Sequence, residues 1–418
     1  MTRAATVAAS DRFAAAELDG GLLVLTEEMP WVRSAAIGIW VRWGSAHELP
    51  REMGVSHLLE HMVFKGTQRR SARELALVLE RLGGSLDAYT TREHTSFQAR
   101  VLDEHVEDAL DVLADMVLTP LLRPTDLELE RRVVLEEIAA VEDTPDDLVF
   151  DLHAAELWGQ HPYGYSILGT RATISALSEH DLRRVHDRAY SRPNLIVAAA
   201  GNIRHDEVVA QVERQFAPAP SGAAAASLPQ PSAAAPHVGR VPRDSSQTHL
   251  VFGTSTFGHS DPRRYALVLL SNAFGGGMSS RLFQRVREEL GLAYTVYSYQ
   301  TFYRDAGVCG VYVGTRRETA DLAEATIREE MARLAAHGLS STELADAKGQ
   351  VKGQIVLSLE SSGARLHRLA GVALYDEPFL SLDELVARVD AVSAEEVAAV
   401  AAEYADPERQ VLLRLGPD

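Results

Sequence analysis

The feature that most constrains the fold is an internal repeat, because the same local patterns occur twice in the same order. Each half of the chain contains a serine-initiated amphipathic helix that ends near a tyrosine, Tyr190 or Tyr404, and a β-rich run follows. Further upstream, the stretch that begins at Thr125 parallels the stretch that begins at Thr342, at an offset of about 217 residues. Repeated patterns of this kind mark repeated structural units. The sequence therefore predicts two copies of one domain.

The boundary between the copies is predicted from composition. The segment from Pro218 to Pro236 is rich in alanine, proline and serine and has almost no large apolar residue. Such a segment cannot bury enough apolar surface to fold and is typical of a linker. The predicted organisation is a flexible tail (1–12), a first domain (13–217), a linker (218–240) and a second domain (241–418).

Strand and helix patterns alternate within the first half. The runs Leu22–Thr26 and Ser34–Trp43 are rich in branched and aromatic residues, which favours strands. The segments Glu104–Val117 and Pro124–Val141 have apolar residues at helical spacing. Mixed strands and helices in two copies predict either an α+β or an α/β class.

Composition excludes several classes of protein. The 418 residues include 41 basic and 59 acidic side chains, for a net charge of −18, whereas nucleic-acid binders usually carry a basic footprint. The single cysteine, Cys309, excludes an internal disulfide. No apolar run approaches the ~18 residues that span a bilayer, and the first residues lack a secretory apolar core. We therefore expect a cytoplasmic protein with no nucleic-acid or membrane partner.

The strongest chemical signal is the pentapeptide His57-Leu58-Leu59-Glu60-His61. On a helix, His57 and His61 project from one face about one turn apart, so both imidazoles can reach one metal ion. The carboxylate of Glu60 can reach the same space and take a proton from water whose pKa a metal ion has lowered. The order H-x-x-E-H is the inverzincin signature. The motif predicts a catalytic metal site, with Glu60 as the general base.

A catalytic zinc site needs a third protein ligand from elsewhere in the chain. The helical segment that follows Pro124 offers five glutamates. Glu130 and Glu137 share a face because they are seven residues apart, and Glu136 points about 100° away from them. Glu130 and Glu137 are also roughly 10 Å apart along the helix axis, too far for both to bind one ion. The spacing alone does not choose between the candidates, which are Glu128, Glu130, Glu136, Glu137 and Glu142.

The sequence resembles the pitrilysin/insulinase family of metallopeptidases, in the short-chain branch that is similar to mitochondrial processing peptidase. The resemblance extends over both halves of the chain. The matching segments are GSAHE (44–48), GVSHLLEHMVFKGT (54–67), LGGSLDAYTTREHTSF (82–97), ERRVVLEEIAAVEDTPDD (130–147) and SSRLFQRVREELGLAYTVYSY (279–299).

The resemblance implies a fold and a metal site. The implied fold is α+β, with two homologous domains that each consist of a mixed, largely antiparallel sheet with helices packed on it. His57, His61 and Glu137 match the family's zinc ligands, which implies one Zn²⁺ per chain. Glu60 matches the general base. Glu130 matches a carboxylate that supports the ligands without binding the metal.

The resemblance also implies a substrate-binding strand. Asp87, Ala88, Tyr89 and Thr90 match an edge strand that pairs with the extended backbone of a peptide substrate. The family usually has asparagine where this chain has Asp87. Backbone pairing does not depend on that side chain, because strand addition uses main-chain hydrogen bonds.

In the second half, Arg287 and Tyr294 match a family pair that orients the substrate and stabilises the oxyanion. Guanidinium and phenol groups are donors suited to a developing negative charge. The repeat offset aligns Glu137 with Gln354, and no second His-x-x-Glu-His occurs in the sequence. One copy therefore retains the predicted metal site, and the other copy is expected to supply substrate contacts.

These features predict a zinc-dependent endopeptidase that hydrolyses extended peptides or small unfolded polypeptides. Longer members of the family enclose substrate in a chamber of four such domains, and this chain has two. The resemblance therefore implies a homodimer with composite active sites, in which Arg287 and Tyr294 of one subunit face the zinc of the other. Two alternatives stay open, namely a non-catalytic scaffold or binding subunit and a specialised protease for one peptide precursor.

Overall fold

The computed structural model describes residues 12–81 and 83–417. The predicted tail, residues 1–12, therefore lies outside the described residues except for Arg12. The chain forms two compact units, and both are discontinuous in sequence. Among the described residues, the first unit comprises 12–138, 165–228 and 358–381, and the second comprises 139–164, 229–357 and 382–417.

The first unit contains a sheet in which six strands are described, in the order β1-β2-β6-β3-β5-β4. Strands β2 and β6 run parallel, and the other neighbouring pairs are antiparallel. Every residue of β6 is buried, as expected for a central strand covered on both faces. The strands are β1 (Phe13–Leu18), β2 (Leu22–Glu28), β3 (Ser34–Val41), β4 (Ser85–Thr90), β5 (Thr95–Leu102) and β6 (Leu195–Gly201).

The helices of the first half begin and end close to the predicted positions. The segment predicted as helical over Pro124–Val141 forms a helix from Pro124 to Glu142. Ser178 and Asp181 form a capping box at the start of the helix that ends before Tyr190. The helices are α1 (Val55–Val63), α2 (Ala72–Arg81), α3 (Val106–Leu118), α4 (Pro124–Glu142), α5 (Pro145–Trp158), α6 (Arg171–Ala176), α7 (Glu179–Ala189) and α8 (His205–Gln215).

The second unit contains a sheet in which five strands are described, in the order β7-β11-β8-β10-β9. Strands β7 and β11 are parallel, and the other neighbouring pairs are antiparallel. The strands are β7 (Val238–Pro242), β8 (Thr248–Thr256), β9 (Ala293–Phe302), β10 (Gly307–Thr315) and β11 (Val411–Gly416). The helices of this half are α9 (Arg264–Gly275), α10 (Ala320–His337), α11 (Ser341–Ser358), α12 (Ser362–Leu374), α13 (Leu382–Ala391) and α14 (Ala394–Tyr404). No helix among the described residues is long and apolar enough to cross a membrane.

The two sheets share one pairing scheme. In the first sheet β2 runs parallel to β6, the last strand of its half, and β6 is antiparallel to β3. In the second sheet β7 runs parallel to β11, the last strand of its half, and β11 is antiparallel to β8. Helices α4 and α11 begin at residues 124 and 341, and α5 and α12 begin at 145 and 362. Both pairs are separated by the 217 residues of the sequence offset. The predicted α+β class with two homologous, largely antiparallel domains is confirmed.

Each unit includes one helix from the other half of the sequence. Helix α5 belongs to the second unit, where Val149 packs with Val251 and Leu413 of its sheet. Helix α12 belongs to the first unit, where Leu369 packs with Trp40 and Ile196. The units therefore differ from the continuous halves 13–217 and 241–418. Strand β7 also begins at Val238, within the predicted linker 218–240, because its backbone pairs with β11.

Candidate metal centre

The motif helix α1 begins at a constrained turn. Its N-cap, Gly54, has φ of +88°, a left-handed conformation that favours glycine. A Cβ atom there would lie 2.5 Å from the carbonyl oxygen of Leu168. The buried carboxylate of Glu48 accepts hydrogen bonds from the backbone N–H groups of Gly54 and Ser56, each at 2.7 Å. Glu48 thus satisfies donors that the helix cannot satisfy itself.

Burial orients the two histidines of α1. The apolar side chains at positions 55, 58, 59 and 62 are all at most 1% exposed and fix one side of the helix in the core. His57 and His61 lie outside this apolar set, and their ring centroids are 4.7 Å apart. The sequence-predicted pair therefore shares one face of one helix, as the i, i+4 spacing requires.

Helix α4 supplies the third group. Leu127, Val134 and Ile138 are buried along one stripe, and the carboxylate of Glu130 is buried within that stripe at 6% exposure. Glu137 lies two turns after Glu130, and its side chain is 40% exposed. Glu136 is exposed. Among the glutamates of this helix, Glu137 is the one that groups with His57 and His61.

One carboxylate lies between the two imidazoles. The Nε2 atom of His57 is 3.6 Å from Oε2 of Glu137, and Nε2 of His61 is 3.6 Å from Oε1 of Glu137. Potential ligand atoms from the three side chains all lie within 4.8 Å of one another. These distances are longer than ordinary hydrogen bonds.

The arrangement fits a zinc ion. Zinc–ligand bonds of about 2.0–2.1 Å at a tetrahedral angle separate neighbouring ligand atoms by roughly 3.4 Å. Two histidines and one glutamate are a ligand set found in catalytic zinc sites. Burial lowers the pKa of His57 to about 4, with a contribution from nearby His61, so its imidazole is neutral at pH 7 and can act as a ligand. His57, His61 and Glu137 are the residues that would hold the metal.

Glu130 orients the His61 ring. Its Oε2 atom is 3.1 Å from Nδ1 of His61. Because an ionised carboxylate only accepts, Nδ1 of His61 would donate this hydrogen bond, which leaves Nε2 as the ring nitrogen on the Glu137 side. Orientation of a ligand histidine by a carboxylate is a common feature of zinc sites. Glu130 therefore contacts His61 but does not belong to the group formed by His57, His61 and Glu137.

Glu60 lies next to this cluster in the same helical turn and is 9% exposed. The hydroxyl of Thr90 donates a 2.6 Å hydrogen bond to its Oε2 atom. Burial raises the pKa of Glu60, and Glu137 raises it further, while the Thr90 hydrogen bond and His61 oppose the shift. A carboxyl pKa moved toward neutrality suits a general base.

Strand β4 contains the four residues predicted to pair with substrate. Among the described strands, β4 lies at the edge of its sheet and pairs with β5. Ala88 packs against the core and Asp87 is exposed. The Tyr89 ring stacks with His367 of α12 at a centroid distance of 6.1 Å. The strand therefore ends beside Glu60, with an open main-chain edge in the described part of the chain.

Arg287 and Tyr294 lie together in the second unit. The Arg287 guanidinium carbon is 4.4 Å from the centroid of the Tyr294 ring, and its Nη1 donates to the Tyr294 carbonyl at 3.1 Å. Tyr294 is 76% exposed. Arg287 belongs to a π-helical turn, Phe283–Glu289. The pair is therefore preformed within one unit.

Sequence reasoning missed three contributions to this site. Glu48 belongs to the quoted segment GSAHE, but its burial at the start of α1 was not predicted. The hydroxyl of Thr90 was not assigned to Glu60. Lys65, in the quoted segment HMVFKGT, contacts Glu130 at 2.7 Å. The rarity of lysine in the chain was a signal that could have drawn attention to Lys65.

Two family models match adjacent parts of the chain. The insulinase family model, peptidase family M16, matches residues 23–171, and the model of the M16 inactive domain matches residues 176–351. An uncharacterized zinc protease of Streptomyces coelicolor is 41% identical over 393 residues, covering 92% of this chain and 85% of the relative. The chain belongs to the insulinase family. An uncharacterized zinc protease of Bacillus subtilis is also 41% identical, over 90% of this chain and 92% of the relative.

Solved structures share the insulinase-family fold. A crystal structure titled as a peptidase M16 inactive domain from Pseudomonas fluorescens has a TM-score of 0.92 with 24% identity, covering 97% of this chain and 98% of that chain. At this identity the likeness shows the fold alone. The inactive-domain model matches residues 176–351, which contain none of His57, His61 and Glu137. The predicted family, the metallopeptidase class and Zn²⁺ as the cofactor are confirmed by these findings together.

Proposed function

We propose that this chain is a zinc endopeptidase that hydrolyses extended peptides or small unfolded polypeptides. The observation that supports this most is the convergence of His57, His61 and Glu137, with Glu60 buried one residue from a ligand. The family membership of the chain agrees with it. The residue roles below are parts of the same proposal.

The chemistry requires a nucleophile, a base and a proton donor. A zinc ion held by His57, His61 and Glu137 would act as a Lewis acid that polarises the peptide carbonyl and lowers the pKa of water. Glu60 removes a proton from the attacking water, whose oxygen bonds to the carbonyl carbon. Glu60 then returns that proton to the amide nitrogen as the C–N bond breaks. Thr90 holds the Glu60 carboxylate through its hydroxyl during both transfers.

The edge of β4 binds the substrate. An extended peptide adds to Asp87, Ala88, Tyr89 and Thr90 through main-chain hydrogen bonds. This pairing places the peptide beside Glu60, because Thr90 is the last residue of the strand and bonds to that carboxylate. The enzyme acts in the cytoplasm on polypeptides that have at least one unfolded segment, which can pair with β4 as an additional strand.

The active unit is a homodimer that encloses its substrate in a chamber. The partner subunit's Arg287 and the partner subunit's Tyr294 orient the substrate and stabilise the oxyanion. Their preformed contact and the exposure of the Tyr294 side chain support this role. Guanidinium and phenol donors suit the negative charge that develops on the carbonyl oxygen.

The test compares wild type with Glu60→Gln on a library of unstructured peptides, read by mass spectrometry. We expect wild type to cleave internal peptide bonds and Glu60→Gln to bind zinc but leave the library intact. The matched control is Glu136→Gln, which changes an exposed glutamate of α4 in the same way. Cleavage by Glu60→Gln at a near wild-type rate would contradict the proposal.

Two alternatives give different results in this experiment. A non-catalytic scaffold or binding subunit would leave every peptide intact, and the match to an inactive-domain model keeps this alternative relevant. A specialised protease for one peptide precursor would bind zinc yet cleave few or no library members. It would be recognised by cleavage of a single co-purifying peptide that Glu60→Gln retains uncut.

A further inference from the structure

Lys65 lies in the turn that follows α1, and it is connected to the group formed by His57, His61 and Glu137 through the carboxylate of Glu130. Its Nζ atom is 2.7 Å from Oε1 of Glu130. The other oxygen of the same carboxylate, Oε2, is 3.1 Å from Nδ1 of His61. Since Glu130 is buried at 6% exposure, its charge needs close partners. Lys65 supplies the cation on one side, and His61 lies on the other.

The choice of lysine is unusual for this chain. Of its 41 basic residues only three are lysines, at positions 65, 348 and 352, and the other 38 are arginines. Lysine offers a compact ammonium with one nitrogen, whereas arginine offers a wide planar fork. At Glu130 only one carboxylate oxygen faces the cation, because the other faces His61. A single small donor matches this geometry.

The backbone of Lys65 also joins the two helices that carry the cluster. Its N–H donates to the carbonyl of Met62 in the last turn of α1, at 3.1 Å. Its carbonyl accepts a 2.8 Å hydrogen bond from Arg123, the residue before α4. The main chain and the side chain of Lys65 therefore connect α1, which bears the histidines, to α4, which bears Glu130 and Glu137.

We propose that Lys65 is a positioning residue for the zinc site. Its ammonium holds the Glu130 carboxylate so that Oε2 stays on Nδ1 of His61 and the ring keeps Nε2 directed at Glu137. Without Lys65 the buried carboxylate loses its cation and turns from His61, so the ligand is no longer held in its binding orientation. The inference rests on the proposed function only for the identity of the metal.

The test measures the zinc dissociation constant by chelator competition, with no peptide present. We expect Lys65→Met to weaken zinc binding by roughly 10- to 100-fold, the range for groups that orient a metal ligand. The matched control is Lys352→Met, because Lys352 also contacts a carboxylate at 2.7 Å, that of Asp390. The two lysine side chains are similarly exposed, at 35% and 31%. We expect the control to change zinc binding less than about twofold.

A double-mutant cycle separates positioning from a general effect on folding. If Lys65 acts through Glu130, then Lys65→Met adds little in a Glu130→Gln background, because the interaction is already lost. Lys65→Gln is measured in parallel as a variant that keeps a polar side chain, should the methionine variant misfold. Unchanged zinc binding in folded Lys65→Met, or its full effect in the Glu130→Gln background, would overturn the inference. Wild type that binds zinc but cleaves nothing would contradict only the proposed function.

Discussion

The hydroxyl of Thr90 donates a 2.6 Å hydrogen bond to Oε2 of Glu60. Thr90 ends β4 and Glu60 lies in α1, so a single contact joins the strand predicted to bind substrate to the residue predicted to move the proton. The Thr90 hydrogen bond also lowers the pKa of Glu60, against the larger effect of burial. Thr90 therefore belongs to the predicted substrate strand and also contacts the predicted general base.

Replacing Thr90 with valine keeps the shape of the side chain and removes the hydroxyl. A hydrogen bond to a carboxylate of this kind is worth enough to change kcat/KM by roughly 10- to 100-fold. We expect that loss with little change in zinc affinity, measured by peptide hydrolysis and chelator competition. Thr90→Ser retains the donor and should keep most of the activity. Wild-type kcat/KM in Thr90→Val would contradict the role given to the hydroxyl.

Zinc affinity should distinguish two adjacent glutamates of α4. Glu137→Gln removes a charged ligand and should weaken zinc binding by more than about 100-fold, beyond the usual effect of supporting residues. Glu136→Gln should leave zinc binding near wild type, since Glu136 is exposed and outside the cluster. Isothermal titration or chelator competition measures both. A similar loss in both variants would contradict the assignment of Glu137.

The composite site can be tested by mixing two inactive variants. Glu60→Gln removes the base of one subunit, and Tyr294→Phe removes the phenol that the other subunit would supply. After random exchange of subunits in equal amounts, half of the dimers are mixed and each holds one intact site, so about a quarter of wild-type activity should return. Exchange is verified with differently tagged subunits. Proven exchange without recovery of activity would exclude sites that are shared in this way.

Buried His153 should make stability depend on pH. Burial lowers its pKa to about 4, against a usual value of 6.5. Between these values the unfolded chain binds a proton that the folded chain does not, so stability falls as pH falls from about 6.5 to 4, by at most about 3 kcal/mol. We expect His153→Gln to show a smaller loss over this range in thermal unfolding. His180→Gln, at an exposed position of α7, should behave like wild type.

Much of the fold followed from the sequence because its determinants are local. The repeat offset of 217 residues gives the starts of α4 and α11 and also of α5 and α12. The spacing of His57 and His61 predicted a shared helix face, and α1 provides it. For the third ligand the spacing left five glutamates, and the burial of Glu130 within the core stripe of α4 separates its role from that of Glu137.

What the sequence did not predict depends on packing between distant segments. Nothing in the local pattern of α5 or α12 shows which sheet each helix covers. The contact of Lys65 with Glu130 spans 65 positions of sequence, and the cap that Glu48 provides needs the turn at Gly54 to place two N–H groups together. Long-range geometry of this kind is not encoded in local periodicity.

The exchange of α5 and α12 makes each unit depend on both halves of the sequence. In this arrangement, each sheet is covered on one face by a helix from the other half of the sequence. Both helices belong to one polypeptide, so each unit receives its helix from the other half of the same chain. Cutting the chain within residues 218–240 should therefore yield fragments that remain associated, each depending on the other for one layer of its core.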